Sequence, residues 1–151
     1  MIIYRLSTSE FSDDLSGEGA KIYGGRWNPV GLPASYISEF ISLSILEILV
    51  RANKFTAPDT YTLLSIQIPE NSIITIELKK LKNGWQDHIE YTRSIGEDFL
   101  RMNEALVLQV PSAIVPQEHN FLINPLHKDF KKVKIVYSEL LELDKRLLQT
   151  R

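Results

Sequence analysis

The sequence predicts an α+β domain with a mainly antiparallel sheet core and flanking helices. Three observations point there. Short runs rich in β-branched and aromatic residues recur along the chain. Helical periodicity is confined to two stretches. The regular strand–helix–strand alternation of a doubly wound parallel sheet is absent.

The elements follow in order. Ile2 to Leu6 is an apolar opening strand. Ser7 to Lys21 mixes Ser, Asp and Gly without periodicity and reads as a long loop, the kind that often carries function. Asn28-Pro29-Val30-Gly31 has the residue pattern of a type I turn. Ala34 to Ile37 is a short strand after it. Ser38 can cap a helix from Glu39 to Ala52, whose apolar residues cover most of its circumference, so a largely buried helix is expected. Tyr61–Ile68 and Ile73–Leu78 read as strands. Trp85 to Met102 is the second helix, broken or weakened at Gly96. Leu106–Val110, Ala113–Val115, Phe121–Ile123 and Val133–Tyr137 are further short strands, and the polar tail from Lys145 to Arg151 is expected to fray.

Composition narrows the function. At 151 residues the chain is expected to form one domain over residues 1–151. With 17 basic and 19 acidic residues the net charge is −2, so nothing favours direct nucleic-acid binding. Cysteine is absent, which excludes disulfides, thiol catalysis and cysteine zinc sites. No apolar run reaches the roughly 20 residues of a membrane span, and the start lacks the features of a signal peptide. A soluble cytoplasmic protein without membrane attachment is the expectation.

Several residues invite a chemical reading, each beside an ordinary one. Gly17, Gly19, Gly24, Gly25 and Gly31 crowd one span, yet the spacing fits neither a dinucleotide fingerprint nor a P-loop. They are turn glycines or a backbone that lets a ligand approach closely. Arg26, between Gly25 and Trp27, is either a surface arginine covering the indole or a fork for phosphate oxygens. Glu47 lies on the apolar face of the first helix, where a carboxylate is costly unless paired or used. Arg51, four residues on, supplies an ordinary ion pair. Ser112 follows Pro111 at a strand boundary and can simply satisfy local backbone groups. His88, His119 and His127 have no metal-type spacing, so no metal site is expected. No Gly-x-Ser-x-Gly elbow occurs.

Taken together, Tyr4-Arg5-Leu6, Gly24-Gly25-Arg26-Trp27-Asn28, Gly31, Tyr36 and the Leu46-Glu47 helix resemble the RES-domain toxins, named for an Arg, a Glu and a Ser. Val110-Pro111-Ser112-Ala113 and Asn120-Phe121-Leu122-Ile123-Asn124-Pro125 extend the resemblance in the same order, from Ile3 to about Val136. The three name-giving positions fall on Arg26, Glu47 and Ser112.

The resemblance implies an ADP-ribosyltransferase-like, diphtheria-toxin-like fold with a cleft for NAD. NAD would be a substrate, with no tightly bound cofactor. It also implies the toxin of a two-gene pair, held in a hetero-oligomer by an Xre-like antitoxin that covers the active-site entrance. Carried over residue by residue, the catalytic set is Arg26, Tyr36, Glu47 and Ser112. Tyr4, Arg5, Arg26, Trp27, Asn28, Tyr36, Ser112 and Asn124 would bind NAD. Nicotinamide leaves as a neutral ring, so no general acid is required; a carboxylate such as Glu47 would stabilise the oxocarbenium-like ribosyl centre. Arg26 would hold the diphosphate or a ribose oxygen, Tyr36 would stack on nicotinamide, and Ser112 would bond the ribose side. Two alternatives stay open: a protein mono-ADP-ribosyltransferase using NAD as donor, and a non-catalytic module that kept the fold.

Overall fold

The computed structural model describes residues 1–8, 12–52 and 57–149. Among these, seven strands form one sheet: β1 Ile2–Ser7, β2 Ser35–Ser38, β3 Thr60–Gln67, β4 Ile73–Thr75, β5 Val107–Pro111, β6 His119–Ile123 and β7 Lys134–Glu142. Three α-helices join them: α1 Glu18–Tyr23, α2 Ile41–Arg51 and α3 Ile89–Met102. The strand order is β4-β5-β6-β2-β1-β3-β7, and β4–β5 is the one parallel pair. The fold is thus mixed α+β with a mainly antiparallel sheet, as the scattered short strands predict.

Register explains where a cleft can form. β1 pairs with β3 from Ile2↔Gln67 to Ser7↔Thr62, but meets β2 at one pair, Tyr4↔Ser38. The sheet therefore parts between β1 and β2 beyond Tyr4. Because side chains alternate across a strand, Tyr36 and Ser38 share a face with their β6 partners Leu122 and Asn120. On that face α2 packs Ile45, Ile48 and Leu49 against Leu6, Tyr61 and Leu63. Beside it, α3 packs Phe99 and Leu100 with Trp27, Trp85, Leu108, Val110 and Leu122. The opposite face buries Ile3, Ile37, Leu64, Ile66, Phe121 and Ile123. Each fully buried side chain of this kind contributes roughly 1.5–3 kcal/mol. Tyr36, Ser38 and Asn120 lie between the two helix-covered patches.

Several local expectations are corrected. The long loop ends at Glu18, where α1 begins; residues 9–11 lie outside the described ones. The turn is shifted by one residue: Leu32 N–H reaches Pro29 O at 3.4 Å, and Gly31, at φ +103°, takes the third position, which favours glycine. Ser38 does not cap α2. Its hydroxyl donates to Asn120 Oδ1 at 2.8 Å inside the sheet, and Phe40 is the N-cap without a side-chain bond. Nor is α2 largely buried: only Leu43 and Ser44 are, while Ile41, Leu46 and Val50 are exposed, because the sheet covers one face only.

Gly96 does not break α3, which runs on through it. A Cβ there would overlap the Trp27 carbonyl oxygen, so the glycine marks a close approach of two backbones. Trp85–Asp87 form a separate 3₁₀ turn before the helix. The strand expected at Ala113–Val115 is a bend: the Ser112 hydroxyl draws in the Ile114 and Val115 amides and turns the chain. The last strand extends to Glu142, and Lys145–Leu148 form a 3₁₀ turn; residues 150–151 of the expected tail lie outside the described ones.

Candidate active site

Glu47 rises from α2 over the β2–β6 pair. Its Oε1 accepts from Asn120 Nδ2 at 2.6 Å and from Ser112 Oγ at 3.1 Å. Its Oε2 lies 4.0 Å from Arg51 Nη2, the pairing that i,i+4 spacing predicts. The glutamate side chain is 21% exposed, so the carboxylate is held from behind and reachable from one side. Asn120 is itself held, since its Oδ1 accepts from Ser38. Ser112 is fully buried, and its oxygen also accepts the Ile114 and Val115 amides at 3.1 and 3.2 Å. Two stretches distant in sequence, residues 38–51 and 112–120, thus converge to orient one carboxylate.

A second cluster surrounds Tyr36. Its hydroxyl donates to Asn28 Oδ1 at 2.5 Å and accepts the Trp27 amide at 3.0 Å. Burial pushes the phenol pKa up to about 12, against the pull of the Trp27 amide and the charges of Arg51 and Arg93. Two guanidinium groups therefore act on the Tyr36 hydroxyl, one from α2 and one from α3. Arg5 stands where β1 and β2 part, with Nη1 bonded to Asp14 O at 2.9 Å and Ser35 Oγ at 3.2 Å. Burial lowers its pKa; Asp14 opposes that shift and Arg51 adds to it.

The other candidates occupy distinct places. Arg26 Nη1 donates to the Gln86 carbonyl at 2.9 Å. Trp27 is 2% exposed and packs its ring against Trp85 at 5.9 Å between centroids, so its indole belongs to the core. Asn28 is fully buried, and its Nδ2 donates to the carbonyls of Ala20, Pro29 and Leu32. It holds the glycine-rich loop in shape. Asn124, 1% exposed, ties Asn103 and Leu100 to the Leu126 amide. Tyr4 is half-buried beside the α2 cluster, and its carbonyl accepts from Ser44 Oγ at 2.9 Å.

The structure thus joins Glu47 to Ser112 directly and Tyr36 to the Trp27–Asn28 loop. It leaves Arg26 anchored at Gln86. Asn120 and Arg93 escape the sequence reading. Asn120 could have been noticed as the polar side chain next to the apolar Phe121-Leu122-Ile123 run of β6; Arg93, on a charged helix face, carries no local signal.

A carboxylate fixed by neutral donors has the Arg51 guanidinium 4.0 Å from its free oxygen. Such a site suits a ligand with an anionic part and a centre that becomes cationic on reaction. Comparison with known proteins gives the family. The RES domain model matches residues 2–145. The chain belongs to the RES domain family.

A "Toxin Res" of Photorhabdus laumondii subsp. laumondii is 42% identical over 135 residues, covering 87% of this chain and 86% of that relative. A "Prs ADP-ribosylating toxin" of a Sphingobium species is 38% identical over 128 residues, covering 82% and 80%. Among solved structures, the M. tuberculosis MbcT–MbcA toxin–antitoxin complex contains a similar chain. It has a TM-score of 0.77 at 21% identity and covers 97% of this RES domain and 86% of that chain. That likeness concerns the fold.

Proposed function

We propose that this RES domain is the toxin of a toxin–antitoxin pair and cleaves the nicotinamide–ribose bond of NAD, depleting it in the cytoplasm. The observation that carries this reading is the Glu47 carboxylate, presented by Asn120 and Ser112 with one side open. As nicotinamide departs with the bonding pair, positive charge grows at the ribose C1′, and Glu47 faces it. Water or phosphate then adds at C1′ and releases a proton. Arg26 would hold the diphosphate, and Arg51, 4.0 Å from Glu47 Oε2, adds positive charge beside the carboxylate. NAD is a substrate here, not a resident cofactor.

An Xre-like antitoxin is the partner we assign. Leu46 and Val50 flank Glu47 in sequence and are exposed on α2. Ile22, Tyr23 and Val30 are exposed beside Gly24. These apolar groups support a partner that covers the entrance.

A second reading has one observation in its favour, the ADP-ribosylating name of the Sphingobium relative. Here a protein side chain replaces water as acceptor. The test is nicotinamide release by the purified chain, with and without phosphate, and with Glu47→Gln as control. The amide keeps the shape and removes the charge, so release should fall about 10²–10³-fold. Unchanged release in that variant refutes the role of Glu47. A labelled protein band from radiolabelled NAD, with no free ADP-ribose, replaces cleavage by transfer.

A further inference from the structure

One helix meets the arginine loop at three successive carbonyls. Arg93 Nε donates to Gly25 O at 2.8 Å, and Thr92 Oγ1 donates to Arg26 O at 2.6 Å. At Trp27 O the α3 backbone itself comes close, because residue 96 is glycine. Thr92 and Gly96 are one helical turn apart and Arg93 is adjacent, so a single stripe of α3 grips residues 25–27. Gln86, just before α3, takes the Arg26 guanidinium at 2.9 Å. The segment from Gln86 to Gly96 thus holds both the backbone and the side chain of Arg26.

Fixing a carbonyl fixes the whole peptide plane, because C=O and the following N–H point opposite ways. With Arg26 O turned to Thr92, the Trp27 N–H must point away from α3, and there it meets the Tyr36 hydroxyl. The clamp therefore sets Arg26 and Tyr36 together. Thr92 is fully buried, and its hydroxyl also lies 3.1 Å from Ile89 O, a contact that any helical threonine can make. The shorter bond to Arg26 O is the one that reaches across to the loop. Arg93 adds its charge to the surroundings of the Tyr36 phenol.

We propose that Thr92 and Arg93 are positioning residues for NAD, acting through Arg26 and Tyr36. The inference rests on the NAD-cleavage reading above. Neither side chain is asked to touch the reacting atoms. Their work is to hold the binding loop in its productive shape before NAD arrives, which lowers the ordering cost of binding.

The test uses Thr92→Val, an isosteric loss of the hydroxyl, and Thr92→Ser, which restores it. Arg93→Lys keeps the charge but removes the Nε donor. KM for NAD should rise about tenfold in Thr92→Val and Arg93→Lys with kcat within threefold, and Thr92→Ser should stay near the parent. NAD affinity, measured calorimetrically in the Glu47→Gln background, should fall by a similar factor when Thr92→Val or Arg93→Lys is added. A merely structural clamp would lower the melting temperature and the active fraction, hence apparent kcat, and leave KM and affinity unchanged; that result overturns the proposal. If Thr92→Val does not fold, Arg93→Lys carries the same test. Absence of nicotinamide release in the parent chain would instead defeat the NAD reading itself, before any clamp variant is compared.

Discussion

Ser112→Ala separates what holds the fold from what presents the carboxylate. The Ser112 hydroxyl donates to Glu47 at 3.1 Å and its oxygen accepts two amides at 3.1 and 3.2 Å, with no solvent exposure. Alanine removes all three bonds at once. At about 1 kcal/mol net per bond the cost approaches 3 kcal/mol. Ile114 and Val115 are only half-buried, so water can recover part of the loss, and about 2–3 kcal/mol is the working figure. For a chain of 151 residues that is a drop of about 4–12 °C in melting temperature. Asn120 still donates to the same carboxylate oxygen at 2.6 Å, so Glu47 keeps one anchor. Nicotinamide release should therefore fall less in Ser112→Ala than in Glu47→Gln, by roughly tenfold against 10²–10³. Thermal denaturation read by circular dichroism, followed by the release assay below the transition, gives both numbers. An unchanged melting temperature would refute the bonding scheme drawn around Ser112. An activity loss as deep as that of Glu47→Gln, with the fold intact, would mean that Ser112 contacts the substrate itself rather than acting through Glu47.

Other perturbations read other parts of the molecule. Gly96→Ala places a Cβ on the Trp27 carbonyl oxygen, and backbone cannot yield as a flexible side chain does. A loss of at least about 3 kcal/mol is expected, checked by urea unfolding, and a neutral result would show that α3 and the loop are less tightly apposed. Tyr36 gives a pH signature. Its phenol is raised from the ordinary value of 10.0 to about 12, so the folded state holds the proton more tightly than the unfolded one. The resulting stability is complete below pH 10 and is lost between pH 10 and 12, at about 1.4 kcal/mol per pH unit. Tyr36→Phe should remove that contribution and leave the smaller one of Tyr61, whose phenol burial also raises, as read in urea melts from pH 9 to 12.

The sheet was legible because strands announce themselves locally. Ile2–Leu6 and Tyr61–Ile68 carry their β-branched and aromatic residues in sequence, and both are strands within a residue or so at each end. By residue pattern alone the site was legible only where neighbours in sequence are neighbours in space; it took the family resemblance to put Glu47 and Ser112, 65 residues apart, in one site. Gly24 to Asn28 form one loop, and the Glu47–Arg51 pair follows from helical spacing. What could not be read is what pairing brings together. Ser38 looked like a helix cap because a serine before an apolar run has that role in most contexts. Its real partner, Asn120, is 82 residues away and arrives only when β2 pairs with β6. Trp27 illustrates the converse. Beside an arginine it could wall a pocket, yet α3 brings Trp85 and Gly96 against it and draws it into the core.

These long-range contacts share a logic. Glu47 is oriented by Asn120 on β6 and Ser112 after β5, and Arg26 is gripped by α3. Asn120 and the α3 clamp share that orienting work with Ser112, yet neither of the two belongs to the Arg–Glu–Ser set by which the family is named. A polar side chain on a strand or helix surface looks like ordinary solvated surface until the partner element is placed. The groups that face a substrate can be guessed from their chemistry, because that chemistry limits the residue types. The groups that aim them can be of many types at many positions, and only packing selects among these. Conservative substitutions at Thr92 and Arg93 should consequently still act on function, which is what the variant series measures.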